Sequence, residues 1–198
     1  MTNNFDSVAN FYDRLSSIVF GEEIAKSTQC FLDRIKGNSV VLILGGGTGS
    51  LLQHLPECTH IDYVEKSGKM IELAKKRSSQ NVNFIHADFL DFETTDKYDF
   101  IVCPFFLDCF NESDLRIVLD KISELLCSRG SLLIQDFDVS RTSKLLSFCM
   151  HFFFRITTAL DSRKLLPIRD IIVSSGFREL EIRALKKGIF SAIYSRGQ

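Results

Sequence analysis

Apolar-rich runs of four to six residues recur along this chain at Val40–Leu44, Ile61–Val64, Val82–His86, Tyr98–Cys103 and Ser131–Gln135. Each is too short to be a helix by itself and reads as a buried strand. Between them lie segments of helical period, predicted at about Gly49–Leu55, Gly68–Ser78 and Glu112–Leu126. The stretch from Phe89 through Asp96 reads as a polar loop or short helix. Asn111 is placed to open the third helix, and Ser128-Arg129-Gly130 is the predicted stop signal. Strands alternating with helices imply right-handed crossovers and a parallel sheet covered on both faces. That rhythm breaks near the C-terminus, where Leu180–Leu185 and Ile189–Ser195 flank Lys186-Lys187-Gly188, a hairpin signal. The expectation is a single α/β domain, doubly wound and mostly parallel, closed by an antiparallel hairpin. It begins with a helical N-terminal region.

The first strand ends abruptly in Gly45-Gly46-Gly47-Thr48-Gly49. Glycine tolerates positive φ and has no Cβ to obstruct a ligand, so a strand running into this turn predicts a nucleotide cradle opening a helix. Glu65, at the end of the second strand, stands where an acid accepts hydrogen bonds from ribose hydroxyls. Asp88, past the third strand, is placed to accept from an adenine amino group, and Phe89 to pack on the ring. Each acid also has a structural reading: Glu65 as a helix-start acid, Asp88 as an N-cap. Their order and spacing after the turn favour the ligand-binding reading. The turn spaces its glycines as G-x-G-x-G, with Ser50 where G-x-G-x-x-G would place a third glycine, which argues against a dinucleotide.

Val41-Leu42-Ile43-Leu44-Gly45-Gly46-Gly47-Thr48-Gly49 resembles the first motif of the class I S-adenosylmethionine-dependent methyltransferases. Val64-Glu65-Lys66-Ser67-Gly68-Lys69-Met70-Ile71 is similar to that family's ribose-binding strand end, and His86-Ala87-Asp88-Phe89 to its adenine-binding segment. Tyr98 to Pro104 resembles the fourth-strand motif that lines the methyl-transfer site. Leu125 to Ile134 resembles the helix-to-strand passage, without the usual proline and second glycine. The resemblance covers nearly the whole chain. It implies a Rossmann-like, seven-stranded methyltransferase fold with S-adenosyl-L-methionine as cofactor. It further implies contacts from Tyr12, Gly45, Gly46, Gly47, Thr48, Gly49, Glu65, Lys66, Met70, Asp88, Phe89, Cys103 and Pro104. Phe11-Tyr12-Asp13-Arg14 followed by Phe20-Gly21 is similar to the N-terminal lid of quinone- and phospholipid-type members, so residues 1–36 are the expected lid. One departure is clear: the family's acid two residues before the first motif glycine is Ile43 here.

Composition narrows the picture. A net charge of −1 and no basic stripe offer no footprint for nucleic acid. The six cysteines are scattered without metal-ligand spacing, so no metal site is expected and buried, reduced thiols are. With no signal-peptide pattern and no long apolar span, a cytoplasmic protein is the expectation.

Methyl transfer from a sulfonium needs placement and exclusion of water more than acid–base chemistry, so the substrate side leaves little trace in sequence. The predicted substrate-side insertion is 136–166, whose aromatic stretch Leu145–Ile156 suggests an apolar pocket, a lid, or a buried core helix. Contact with a membrane surface through 145–160 is a further reading, though a basic polar face is missing. His151 is the weak candidate for a general base. Asp108, Asp136 and Asp138 are candidates for orienting a substrate hydroxyl or amine. The expected function is methyl transfer to a small apolar or aromatic molecule. The rivals are a dinucleotide-dependent oxidoreductase and a non-catalytic S-adenosylmethionine-binding regulator or accessory subunit of the same fold. The sequence leaves the oligomeric state open.

Overall fold

The structure is a computed structural model that describes residues 9, 20–56, 60–79, 81–138 and 166–197. Tyr12, His151 and the 145–160 stretch lie outside the described residues, as do half of the expected lid and most of the expected insertion.

Seven strands form one sheet: β1 (Val40–Leu44), β2 (His60–Glu65), β3 (Val82–His86), β4 (Tyr98–Pro104), β5 (Leu126–Phe137), β6 (Phe177–Ala184) and β7 (Ile189–Arg196). Their order is β3-β2-β1-β4-β5-β7-β6. β1 pairs parallel with β2 and β4, β2 with β3, and β4 with β5. β7 alone runs antiparallel, inserted between β5 and β6. The predicted mostly parallel sheet with a terminal hairpin is the observed one.

Four α-helices are described: α1 (Glu23–Gln29), α2 (Gly68–Arg77), α3 (Glu112–Leu125) and α4 (Ile168–Ser174). α3 forms because Leu115, Val118, Leu119, Ile122 and Leu125 recur at helical spacing and are all buried. Complete burial of a leucine or valine side chain contributes about 1.5–3 kcal/mol. Asn111 caps the helix by accepting the Asp114 N–H at 2.9 Å. The sheet splits the core by strand alternation. Leu42 and Leu44 face the side covered by α3 and α4. Val41 and Ile43 face the other, with Leu51, Leu52 and Ala74.

Two boundaries differ from the sequence expectation. α3 ends at Leu125, and β5 starts at once at Leu126, with a shift in its register against β4 between Tyr98 and Phe100. Gly130 therefore lies inside a strand rather than stopping a helix. Its lack of a side chain serves close approach, since a Cβ there would sit 2.9 Å from the Tyr98 carbonyl oxygen. After the glycine turn, the expected helix is only a 3-10 segment, Ser50–His54. Leu55 is extended because it precedes Pro56, whose ring disfavours helical backbone before it.

Candidate active site

The glycine turn leaves the carboxyl end of β1, and each of its glycines meets a different constraint. At Gly45 a Cβ would strike the Phe106 ring at 2.5 Å, at Gly46 the Tyr63 ring at 2.5 Å, and at Gly49 the Ala74 Cα at 2.7 Å. Gly47 has φ +60° and nothing within 4 Å of its Cβ position. Three glycines thus seat the turn against the protein, and Gly47 keeps one face open toward a ligand. Because only a short 3-10 segment follows, the cradle works through the backbone of the turn rather than a helix macrodipole.

Gly47 is nevertheless held at both polar groups. Its N–H donates to Glu65 Oε2 at 3.1 Å, and its carbonyl accepts from the Tyr63 hydroxyl at 2.8 Å. Glu65 Oε1 accepts from the Ser67 N–H at 2.8 Å. Glu65 is buried; burial pushes its carboxyl up, opposed by the N–H groups of Ser67, Gly47 and Lys66. A carboxylate has about four acceptor positions, so these backbone N–H groups leave capacity for a ligand hydroxyl. Thr48 is buried, and its Oγ1 accepts from Arg77 at 2.7 Å.

Asp88 and Lys66, both expected to contact a cofactor, meet each other at 2.6 Å. Asp88 Oδ1 also accepts from the Leu90 N–H at 3.1 Å. Burial alone would raise the Asp88 carboxyl; the Lys66 ammonium and the Leu90 N–H more than offset it and hold it below the usual range.

Other expected contacts sit deeper than the pattern implied. Phe89 is 3% exposed, its ring edge-on to Phe106 at 6.0 Å. Its ring is packed in the core and is not on the surface. Met70 is buried in the first turn of α2, and its N–H donates to the Ser67 hydroxyl at 3.2 Å. Cys103 and Pro104 are buried at the end of β4. Phe105 and Phe106, which follow them, are partly exposed. Ile43 is fully buried in apolar surroundings, so no acidic group stands there.

Of the acids proposed for the substrate side, Asp108 and Asp136 come together. Asp136 is fully buried at the end of β5 and accepts the N–H groups of Phe137 at 2.8 Å and Asp108 at 3.2 Å. Burial first, then the neighbouring Asp108 charge, pushes its carboxyl well up. The Cys109 thiol, 3.6 Å from Asp108 Oδ1, is pushed up by burial and by the charges of Asp108, Asp136 and Glu65. Asp138 instead donates its backbone N–H to the Gly188 carbonyl at 2.7 Å. Among the described residues Cys30, Cys103, Cys109 and Cys127 form no disulfide; Cys103 is fully buried and the other three are half-buried. Among the described residues no cluster of potential ligands could hold a metal ion, and no helix is long and apolar enough to cross a membrane.

Residues 41–130, which span the glycine turn, Glu65 and Asp88, match the family model described as a methyltransferase domain. An uncharacterized methyltransferase of Bacillus thuringiensis is 29% identical over 140 residues, covering 67% of this chain and 65% of that protein. The chain therefore spans less than two thirds of the curated relatives it matches. The fold agrees over almost all of its length. An S-adenosylmethionine-dependent methyltransferase of Clostridium acetobutylicum superposes with a TM-score of 0.70 at 12% identity, covering 96% of this chain and 98% of its own. The matched domain, the curated relatives and the shared fold together support the S-adenosylmethionine-dependent methyltransferases as the proteins this chain is similar to.

Two further methyltransferase structures share this fold. The N-methyltransferase NodS of Bradyrhizobium japonicum, in complex with S-adenosylhomocysteine, has a TM-score of 0.67 at 15% identity, covering 96% of this chain and all of that one. A chain from the Haloferax volcanii complex between the Trm112 methyltransferase activator and a methyltransferase reaches 0.78 at 13% identity, with full coverage of both. Tyr63 and Arg77, which bond Gly47 and Thr48 of the turn, are contacts that sequence reasoning missed. Tyr63 carried one usable signal: it stands two residues before Glu65, hence on the same face of β2.

Proposed function

We propose that this protein transfers a methyl group from S-adenosylmethionine to a small, apolar or aromatic acceptor. The open face of Gly47 beside the Glu65 carboxylate carries the reading, because together they form a backbone cradle next to a ribose-type acceptor group. The cofactor supplies a methyl group already activated on sulfur, so this chain's task is placement. Glu65 accepts the two ribose hydroxyls, and Asp88, steadied by Lys66, accepts the adenine amino group. Gly45 to Gly49 lie along the cofactor's length. Phe105 and Phe106, after β4, exclude water from the acceptor side.

Titration calorimetry with S-adenosylhomocysteine tests the cofactor half. Binding is expected for the wild type, with Glu65→Gln weakening it about 10- to 100-fold, since hydrogen bonds to a charged group are worth about 1.5–3 kcal/mol. Absence of binding to the wild type would refute the reading.

The apolar Ile43 favours one second reading, a binder of the same cofactor that does not turn over. Incubation with labelled S-adenosylmethionine and a panel of phenols, quinols and amines separates the two. Methylated product establishes the enzyme; binding without product across the panel establishes the silent binder.

A further inference from the structure

Gln135 lies in β5, opposite Pro104 of β4 and Ser191 of β7, at the carboxyl edge of the sheet. Its side chain is completely buried, and among the described residues neither its amide nitrogen nor its amide oxygen has a hydrogen-bond partner. Its neighbours do not share this condition. Its own carbonyl accepts the Phe105 N–H at 2.7 Å, and the Ser191 hydroxyl donates to the Ser27 carbonyl of α1 at 3.0 Å. An unmet buried polar group costs about 1–3 kcal/mol, and an apolar side chain of the same shape would avoid that. Such groups need a reason, and use by a ligand is one.

The surroundings suggest the ligand. Strand alternation puts Gln135 on the same face as Phe137. The Phe137 ring meets Phe20 at 5.2 Å and Phe105 at 5.1 Å. With Ile189 these make a small apolar cluster separate from both main cores. Phe105 is held at φ +51°, a region bulky side chains rarely adopt, and its ring abuts Phe137 in that conformation. β4 stands between the glycine turn after β1 and this cluster at the end of β5, along one edge of the sheet.

We infer that Gln135 selects the methyl acceptor: a flat, apolar molecule presenting an amide-type edge, N–H beside C=O, that pairs with both orphaned atoms. Phe20, Phe105 and Phe137 pack on its ring. This rests on the methyltransferase reading and gives its substrate class.

The test uses the full chain saturated with S-adenosylhomocysteine and four probes of one shape, with ligand-observed NMR as readout. The probes are 2-quinolone (N–H beside C=O), 2-naphthol (a single hydroxyl), quinoline (acceptor only) and naphthalene. The wild type is expected to bind 2-quinolone at least tenfold more tightly than the others. Gln135→Leu and Gln135→Met are expected to abolish that preference while keeping S-adenosylhomocysteine affinity and an equal or higher melting temperature. Equal binding of all four probes, no binding of 2-quinolone, or a preference that survives in both variants would overturn the inference. So would a lowered melting temperature in both variants, which would make the amide a structural requirement. If S-adenosylhomocysteine itself does not bind, the methyltransferase reading fails first; if it binds and the preference is absent, only this inference fails.

Discussion

Adjacent glycines in the turn do different work, and substitution separates them. Gly46 is small because the Tyr63 ring fills the space its Cβ would occupy, at 2.5 Å. Gly46→Ala should therefore lower stability by about 1–3 kcal/mol, the usual cost of overpacking. Gly47→Ala meets no neighbour and bears only the left-handed backbone cost of about 1–2 kcal/mol. Its methyl group enters the cradle, however, so affinity for S-adenosylhomocysteine should fall about tenfold or more, equal to at least about 1.4 kcal/mol. Chemical denaturation and calorimetry on both variants check this; equal affinity losses would show that Gly47 does not face the ligand. The sequence located these glycines and Glu65 because the pattern is local. It did not reveal Arg77 on Thr48, 29 residues apart, because such a bond depends on how α2 lies against the turn. Gln135 was equally hidden, since an amide inside a strand pattern shows its lack of partners only once both neighbouring strands are in place.

At the scale of elements, strands were more legible than the joints between them. β1 and β3 match their expected limits because short apolar runs bounded by polar residues have few alternatives. The start of β5 was misplaced because Leu125-Leu126-Cys127 continues the apolar character of α3, and pairing with β4 decides where the helix yields. The start of α3 was readable from its cap. Asn111→Ala should cost about 1 kcal/mol and lower the melting temperature by about 2–4 °C, with cofactor affinity unchanged. A scanning calorimetry trace without that shift would show that α3 is fixed by its packing alone.

For the molecule as a whole, buried acids at the sheet edge set how stability responds to pH. Asp136 has its folded-state affinity for a proton raised by burial and by Asp108. A carboxyl of this kind contributes stability fully below its unfolded value of about 3.9, and the contribution fades as pH rises through the folded value. Asp136→Asn removes that dependence. The stability of the variant relative to wild type should therefore climb from pH 4 toward pH 7 in urea titrations; parallel curves would mean that Asp136 ionises in the folded protein as it does in the unfolded chain.

The antiparallel strand β7 also bears on how the protein is made. It bonds to β5 on one side and β6 on the other, although it follows both in the chain. During synthesis, β5 and β6 emerge with no partner for their facing edges until Ile189–Arg196 follows. Until then the nascent chain carries two open edges able to pair with other chains. Closure of this sheet must therefore wait for release of β7 from the ribosome, and a message cut short before Ile189 would yield an aggregation-prone fragment, not a smaller working domain.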